Sequence, residues 1–456
     1  MTNLNVNNLK KFKKQPTKYN TEKELIDWLK WDLFQQIEEI NKTSEEQFNK
    51  IKDNLINIEK IQNILVLNIG KKELSNNNSL ESIIINFEFN ISSIFYELLN
   101  QYNNIIEIKI NCTNLLFNHD AFFSICIFKQ DVDFYLCKFN HNIYFLGTTF
   151  EKLVNFKSSI FYEKINFSEL SFNYATFEFT TFYKEISFSE LTFNNIYLKN
   201  IKYLLTKLYF NDIKFKDLNS KLYIDLSNKN INNINIKNTI INGEIELRNI
   251  EAEEVDFKGS IINGGLINPV NFKVHKFANR ESALFLKQQA YAANNAIDAL
   301  QYKAKEIECH KYDLMKSAKD IIQNKEYSFS KKIKELYKIV GDIASIYLSS
   351  LYSNNGQNWV KALFMTISIT IICFIVFYIP DLTDSNIIRL YYRNLFPELI
   401  KYFIPTDYSL IIKYAASKLN LFLKIFGVLV YFLGKILFWY GSVQTVQAFR
   451  KFAKGA

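Results

Sequence analysis

Cysteine, glycine, proline and histidine are all in short supply in this 456-residue chain, which carries 5 Cys, 12 Gly, 5 Pro and 4 His. Cys112, Cys126, Cys137, Cys309 and Cys373 are scattered, odd in number and form no CxxC pair, which suits a reducing compartment better than a disulfide framework. His119, His141, His275 and His310 do not stand at metal-ligand spacing with those cysteines, and Cys309–His310 is a lone adjacent pair. No GxSxG, HExxH, P-loop or GxGxxG sequence occurs. No catalytic, cofactor-binding or metal site is therefore expected, and the chain reads as a non-enzyme. The N-terminal "MTNLNVNNLKKFKKQP" has lysines but no apolar stretch behind them, so a cleaved secretion signal is not expected.

Phenylalanine dominates instead, with 41 residues, alongside Ile, Asn and Lys. The Asn, Lys and Ile excess fits an AT-rich genome and carries no functional weight at this level. Charge is uneven: residues 111–270 are close to balanced, whereas 271–456 hold about 25 basic against 13 acidic residues. That excess lies beside the two most apolar segments of the chain. It suits a surface facing anionic lipid better than one facing nucleic acid.

The phenylalanines keep time. One series runs Phe117, Phe128, Phe139, Phe150, Phe161, Phe172, and a second runs Phe123, Phe134, Phe145, Phe156, Phe167. Each has a period of eleven, and interleaved they alternate steps of six and five. A helix scatters such a series around its circumference, and a strand alternates it between faces. A chain that turns a corner about every five residues collects it on the inside. Two residues before each ring stands another apolar or small side chain, Val154 or Ile165 in one series and Cys126, Cys137, Thr148 or Ser159 in the other. Two eleven-residue units close one coil, so residues 22 apart stack: Phe134 over Phe156, Phe139 over Phe161, Phe145 over Phe167.

This tract, about residues 110–275, resembles the pentapeptide-repeat family, whose units read approximately A(D/N)LXX. Phe takes the central position of the unit, and Val154, Ile165 or Ala175 the inward Ala position. The match is poor over 196–240, where "NKNINNINIKNTIINGE" is Asn-rich. The resemblance implies a right-handed quadrilateral β-helix, a β-solenoid with Phe134, Phe139, Phe145, Phe150, Phe156, Phe161, Phe167 and Phe172 as its structural core. "SALFLKQQAYAANNAIDALQYKAKEIE" is also similar to the helix that follows the Phe-rich repeats in some membrane-linked members.

The flanks read as helical. Residues 1–66 hold two amphipathic patterns, Leu25, Trp28, Leu29, Leu33, Ile37, Ile40 and then Phe48, Ile51, Leu55, Ile58, Ile61. Residues 67–110 form an atypical first coil or capping strands, 111–275 the β-helix, and 276–356 a helical connector. In the connector Ala293, Ile297, Leu300, Ala304 and Ile307 make a heptad seam suited to packing on the coil's end or to homo-oligomerisation. Residues 357–456 read as a two-span transmembrane hairpin with a basic tail. The first span, about 359–380, has Trp359 at its border and is long enough to cross a bilayer. The second, about 419–441, carries Lys424 and Lys435. A lysine at mid-bilayer costs on the order of 2.5–3.5 kcal/mol, so Lys435 is expected to reach the interface near Trp439, ahead of facing a pore or a partner helix. The 381–418 loop reads as lying in the interface or re-entering the bilayer, and no TVGYG-like filter is present.

The expected function is a non-enzymatic scaffold at the bacterial inner membrane, the bulk of the chain cytoplasmic, with membrane lipid and an unidentified protein as partners. The alternative is a membrane-permeabilising or channel-like effector, with phage infection as a trigger. Third comes the gyrase-binding DNA mimicry known in soluble relatives of the family, which needs an acidic surface this tract lacks. Nucleic acid is not expected as a partner.

Overall fold

The computed structural model describes residues 14–48, 66–70, 82–94, 105–202, 207–324, 327–384, 395–404, 406–415 and 420–453. The chain divides into two units, Met1–Ala278 and Asn279–Ala456. In the first, helix α1 (Glu22–Phe48) buries Leu25, Trp28, Leu29 and Leu33. The second N-terminal helix expected from the sequence falls almost wholly outside the described residues.

The rest of the first unit is a β-solenoid of about eight turns. Its strands are short and pair in parallel with the coil before and the coil after. Lys138–Phe139 pairs with Leu116–Phe117 on one side and Ile160–Phe161 on the other, and Val132 pairs with both Ile110 and Val154. The sequence interval of 22 is thus the backbone register. Parallel pairing at this interval brings like residues together. Phe134, Phe139, Phe145, Phe150, Phe156, Phe161, Phe167 and Phe172 are each at most 1 % exposed. They lie in four columns. Rings within a column stack nearly flat: Phe134 on Phe156 at 4.9 Å, Phe139 on Phe161 at 5.0 Å, Phe145 on Phe167 at 5.6 Å, Phe128 on Phe150 at 5.0 Å. Between columns they meet edge to face, as Phe134 does Phe145 and Phe145 does Phe150. Both arrangements suit the ring quadrupole.

The corners have their own chemistry. Every half coil passes through one left-handed residue, the series running Asn114, Ile125, Leu136, Gly147, Ser158, Glu169, with φ between 51° and 69°. At several of these corners the residue that follows is small, buried and bonded to the coil before, whereas Leu115 and Leu170 fill the position after Asn114 and Glu169. The hydroxyl of Thr148 donates to the Phe123 carbonyl (2.7 Å), that of Thr180 to Phe156 O (2.8 Å), and the Cys137 thiol to Cys112 O (2.7 Å). A hydroxyl or thiol is needed there because these carbonyls are cut off from water. Burial pushes the Cys112 and Cys137 thiols well above their usual range, so both are packing residues.

The asparagines, assigned no role from composition, also have places here. Asn114, Asn200, Asn238, Asn249 and Asn271 occupy left-handed corners, a conformation Asn tolerates better than most residues. On the outer faces Asn118 and Asn140 bond across coils at 3.0 Å, Asn155 to Asp133 at 3.0 Å, and Asn271 to Asn249 at 3.1 Å.

Through 196–240, where the Phe pattern fades, the solenoid continues. Ile and Leu replace the rings, with Leu222, Ile224, Ile231, Ile234 and Ile236 buried. A smaller register shift falls between Asp225 and Lys229, and a larger one at a corner, where Phe193 pairs with Phe215, 22 residues on, whereas Ile196 pairs with Leu222, 26 residues on. The additional residues form an outward turn closed by the Ser220 N–H on the Asp217 carbonyl (3.2 Å).

The second unit is helical: α2 (Arg280–Ala292), α3 (Ala296–Gln323), α4 (Phe329–Ser353), α5 (Trp359–Asp384), α6 (Leu395–Phe403), α7 (Ser409–Ala415) and α8 (Leu421–Ala453). The long heptad seam does not form. The chain breaks between α2 and α3, where Asn294 is left-handed (φ 56°) and Asn295 caps α3 through the Asp298 N–H (3.1 Å). Ala293 and Ile297 face solvent, and α3 buries Ala299, Tyr302 and Ala304 instead. Glu306 of α3 ties the two helices, accepting from Lys287 (2.5 Å) and Arg280 (3.4 Å) of α2. Burial alone would raise its carboxyl, but the two cations hold it below the usual carboxylate range.

Two predictions follow from this architecture. Ile125 is β-branched, 63 % exposed and left-handed. Ile125→Gly removes a backbone cost of about 1–2 kcal/mol at the price of unfolded-chain entropy, for a net gain of about 0.5–1 kcal/mol. Phe156→Ala leaves a hole in the ring columns and loses about 3–5 kcal/mol. Thermal unfolding of the full chain in detergent should move in opposite directions for the two variants. Separately, Glu306 has a depressed folded-state pKa, so its contribution is present above the unfolded carboxylate range and lost as pH falls through the folded value. Amides of α2 should exchange faster on acidification below that range in the wild type, and the Glu306→Gln variant should show the fast exchange already at neutral pH.

Candidate membrane-embedded site

Among the described residues, two helices are long and apolar enough to cross a membrane, over Trp359–Tyr378 of α5 and Leu421–Arg450 of α8. They run antiparallel along one another. The Trp359 ring meets Phe449 at 5.6 Å, Gly441 of α8 faces Thr366, and further along Phe377 lies 5.3 Å from Tyr431. Their outward faces are exposed hydrocarbon, with Phe364 at 68 % and Ile436 at 64 %.

What brings them so close is a repeat of small residues. Gly427, Gly434 and Gly441 recur every seven positions on α8, followed by the buried Ala448. A Cβ built on Gly427 would collide with the Tyr414 ring, on Gly434 with the Tyr402 hydroxyl and Cys373, and on Gly441 with Thr366 and Tyr352. Small residues on one stripe let helix backbones approach where no hydrophobic driving force operates. The sequence reading passed over this stripe, although its seven-residue spacing was there to be found.

The segment between the long helices folds back on them. Tyr402 of α6 and Leu410 and Tyr414 of α7 are buried with Phe374, Phe377 and Tyr378 of α5 and Tyr431 of α8. Tyr378 donates to Glu398 (2.7 Å), and Tyr431 to the Asp407 carbonyl. The outer side of α6 and α7 exposes Phe396, Ile400 and Ile412.

Lys435 sits at the centre of this arrangement. The sequence reading sends it outward to an interface; instead it is only 5 % exposed. Its Nζ donates to the carbonyls of Tyr402 (2.6 Å) and Ile404 (2.6 Å) at the C-terminal end of α6, and lies 5.1 Å and 5.2 Å from the Tyr402 and Tyr431 ring centroids. Helix ends leave carbonyls without intrahelical partners, and where water is excluded such a group costs several kcal/mol. Lys435 supplies the missing donor, and the negative end of the helix dipole favours a cation there. Its packing partner is two helices away in sequence, so hydropathy gave no sign of it.

The other membrane residues named from the sequence divide. Trp359 is half-buried against Phe449, Trp439 is exposed, and Lys424 stands in the first turn of α8. A groove between the helices is lined by Leu363, Thr366, Ile367, Phe403, Phe438, Ser442, Thr445 and Val446. Its hydroxyls are spent on their own helices: Thr366 donates to Ala362 O (2.7 Å), Ser442 to Phe438 O (2.9 Å) and Thr445 to Gly441 O (2.9 Å). The groove therefore presents an apolar wall.

Elsewhere, His119 and His141 stack on each other at 6.0 Å, His275 meets Glu251 at 2.8 Å, and His310 faces Arg280 at 3.4 Å. The acidic "EAEEVDF" stretch is drawn into ion pairs across coils, Glu254 with Lys276 and Asp256 with Lys237. Among the described residues no three His, Cys, Asp or Glu side chains converge as metal ligands. No protein-family model, curated protein or solved structure matches the chain.

Gly434→Val drives a side chain into Tyr402, and Lys435→Met strips two carbonyls of charge-assisted bonds, which are worth about 1.5–3 kcal/mol apiece. Both variants should expose the segment around α6 and α7 to proteolysis in detergent under conditions where the wild type resists.

Proposed function

We propose that the chain is a membrane-anchored, non-enzymatic scaffold, in which α5 and α8 cross the bilayer as a hairpin and a pentapeptide-repeat type solenoid is presented to a protein partner. The observation that carries this reading is the exposed hydrocarbon of α5 and α8, of which only 28 % and 22 % of the apolar stretches are buried. A soluble core helix would be covered, and an apolar face of this extent is poorly tolerated in water. Four ring columns in a register of 21–22 residues support the family resemblance. An even number of crossings keeps both ends of the second unit on one side. The basic residues Arg450, Lys451 and Lys454 beyond the second apolar stretch favour the cytoplasmic side of a bacterial inner membrane for both ends of the unit.

The solenoid's outer faces fit a protein-binding role better than DNA mimicry. Lysines and carboxylates pair across successive coils, Lys129 with Glu151, Lys157 with Glu178 and Lys164 with Glu185, and leave no acidic field. The permeabilising alternative, motivated by Lys424, Lys435 and the amphipathic loop, loses one of these supports, because Lys435 is enclosed by Tyr402, Tyr431 and carbonyl oxygens. Carbonate washing of a membrane fraction should leave the full-length protein in the pellet, with neutral detergent releasing it. Recovery of folded chain in the detergent-free supernatant would overturn the reading.

A further inference from the structure

Helix α4 carries an apolar stripe that its own unit leaves open. Phe329, Ile333, Tyr337, Val340, Tyr347 and Leu351 follow steps of four and three or their sum, and so lie on one side of the helix. All six are exposed, Phe329 by 80 % and Tyr337 by 83 %. The opposite flank is cationic, with Lys331, Lys332, Lys334 and Lys338 against Glu335 and Asp342. Glu335 is already paired with Lys338 (2.8 Å), and Lys311 of α3 lies over the Tyr347 ring at 4.7 Å.

The C-terminal end of α4 is fixed in place. Ser353 donates to the buried Gln444 of α8 (2.8 Å), Tyr352 donates to the Leu437 carbonyl (3.2 Å), and the Tyr352 ring meets Tyr440 at 5.4 Å. Lys361, in the first turn of α5, donates to the Ser350 carbonyl (3.1 Å) and to Asn354. These bonds hold the C-terminal end of α4 against α8 and the start of α5, so the stripe begins beside the two apolar helices.

We infer that α4 is an in-plane lipid-binding helix whose stripe enters the headgroup–acyl boundary of an anionic bilayer while its lysines meet the lipid phosphates. The inference rests on the membrane reading of α5 and α8 and adds a specificity to it. An amphipathic helix with a Lys-rich polar side and Phe, Tyr, Ile and Leu opposite has the composition of an interfacial binder. Each lysine near an anionic surface adds to the attraction, so the binding should weaken as lysines are removed.

The test uses the full-length chain with Cys309→Ser and Cys373→Ser, and one new cysteine at a time carrying an environment-sensitive fluorophore. The sites are Tyr337→Cys on the stripe, Asp342→Cys on the opposite side of α4, and Ile372→Cys on the outer face of α5. Each is reconstituted into phosphatidylcholine vesicles and into vesicles containing phosphatidylglycerol. The expected result is a blue-shifted emission at 337 in the anionic vesicles only, an aqueous emission at 342 in both, and an apolar one at 372 in both. Adding Lys331→Gln, Lys334→Gln and Lys338→Gln should abolish the shift at 337. An aqueous signal at 337 in both vesicles, with 372 still apolar, overturns the inference and leaves the anchor standing. An equally apolar signal at 337 in both vesicles and in detergent also overturns it, in favour of a protein contact. An aqueous signal at 372 removes the membrane reading together with the inference.

Discussion

In-register parallel stacking is the constraint on which the first unit depends. Strands in a ladder lie about 4.7–4.9 Å apart, and a ring placed directly above another at that distance is in good van der Waals contact. The observed spacings of 4.9 Å between Phe134 and Phe156 and 5.0 Å between Phe156 and Phe177 are therefore set by the backbone. The side chains return the favour, since a slip of one residue would point every ring at water. The same rule governs the exterior. Once one coil places Asn118 outside, the next places Asn140 above it, and their amides bond; the lysines and carboxylates pair likewise. Ring core, amide ladders and charge ladders are three consequences of one register.

That register was legible because phenylalanine is conspicuous and its intervals fit neither helix nor strand. The coil interval of 22 and the three named stacking pairs could be read from spacing alone. The shift at Asp217–Ser220 could not be read so: Phe210 and Phe215 precede it, but beyond it Ile and Leu replace Phe, and the sequence offers no phenylalanine to count to before Phe257. The left-handed corners were hidden for a related reason. Their occupants include Ile125, Leu136 and Phe179, residues that do not advertise a turn, and the coil imposes the conformation on them. The connector failed in the opposite sense. Ala293, Ile297, Leu300, Ala304 and Ile307 keep a heptad, but Asn294 and Asn295 break the helix within it, and turn chemistry overrides periodicity.

The two apolar helices were visible as hydropathy, and their mutual fit was not. Hydropathy measures what a helix offers to lipid, whereas packing depends on what it withholds. Gly427, Gly434 and Gly441 contribute almost nothing to an apolar average, yet they admit the rings of Tyr414, Tyr402 and Tyr352. Lys435 lowers that average and reads as a penalty, although its donors meet two carbonyls that would otherwise end a helix without water. A polar residue's cost in such a setting is set by the group it satisfies, and that group lies some thirty residues earlier in the chain.

Satisfaction of polar groups also separates a packed anchor from a conducting path. A pathway for ions needs oxygen or charge turned toward a lumen. Here Thr366, Thr370, Ser442 and Thr445 all donate back to the carbonyl four residues earlier on their own helices, and Gln444 is engaged by Ser349 and Ser353 of α4. Lys435, the buried lysine of the pair, is held at a helix end. With each of these groups committed inside the unit, the surface left for the surroundings is hydrocarbon, and its natural neighbour is a lipid chain rather than a hydrated ion. Much of the charge of this unit is concentrated in α3 and α4, ahead of the apolar helices, which leaves the pair itself to packing.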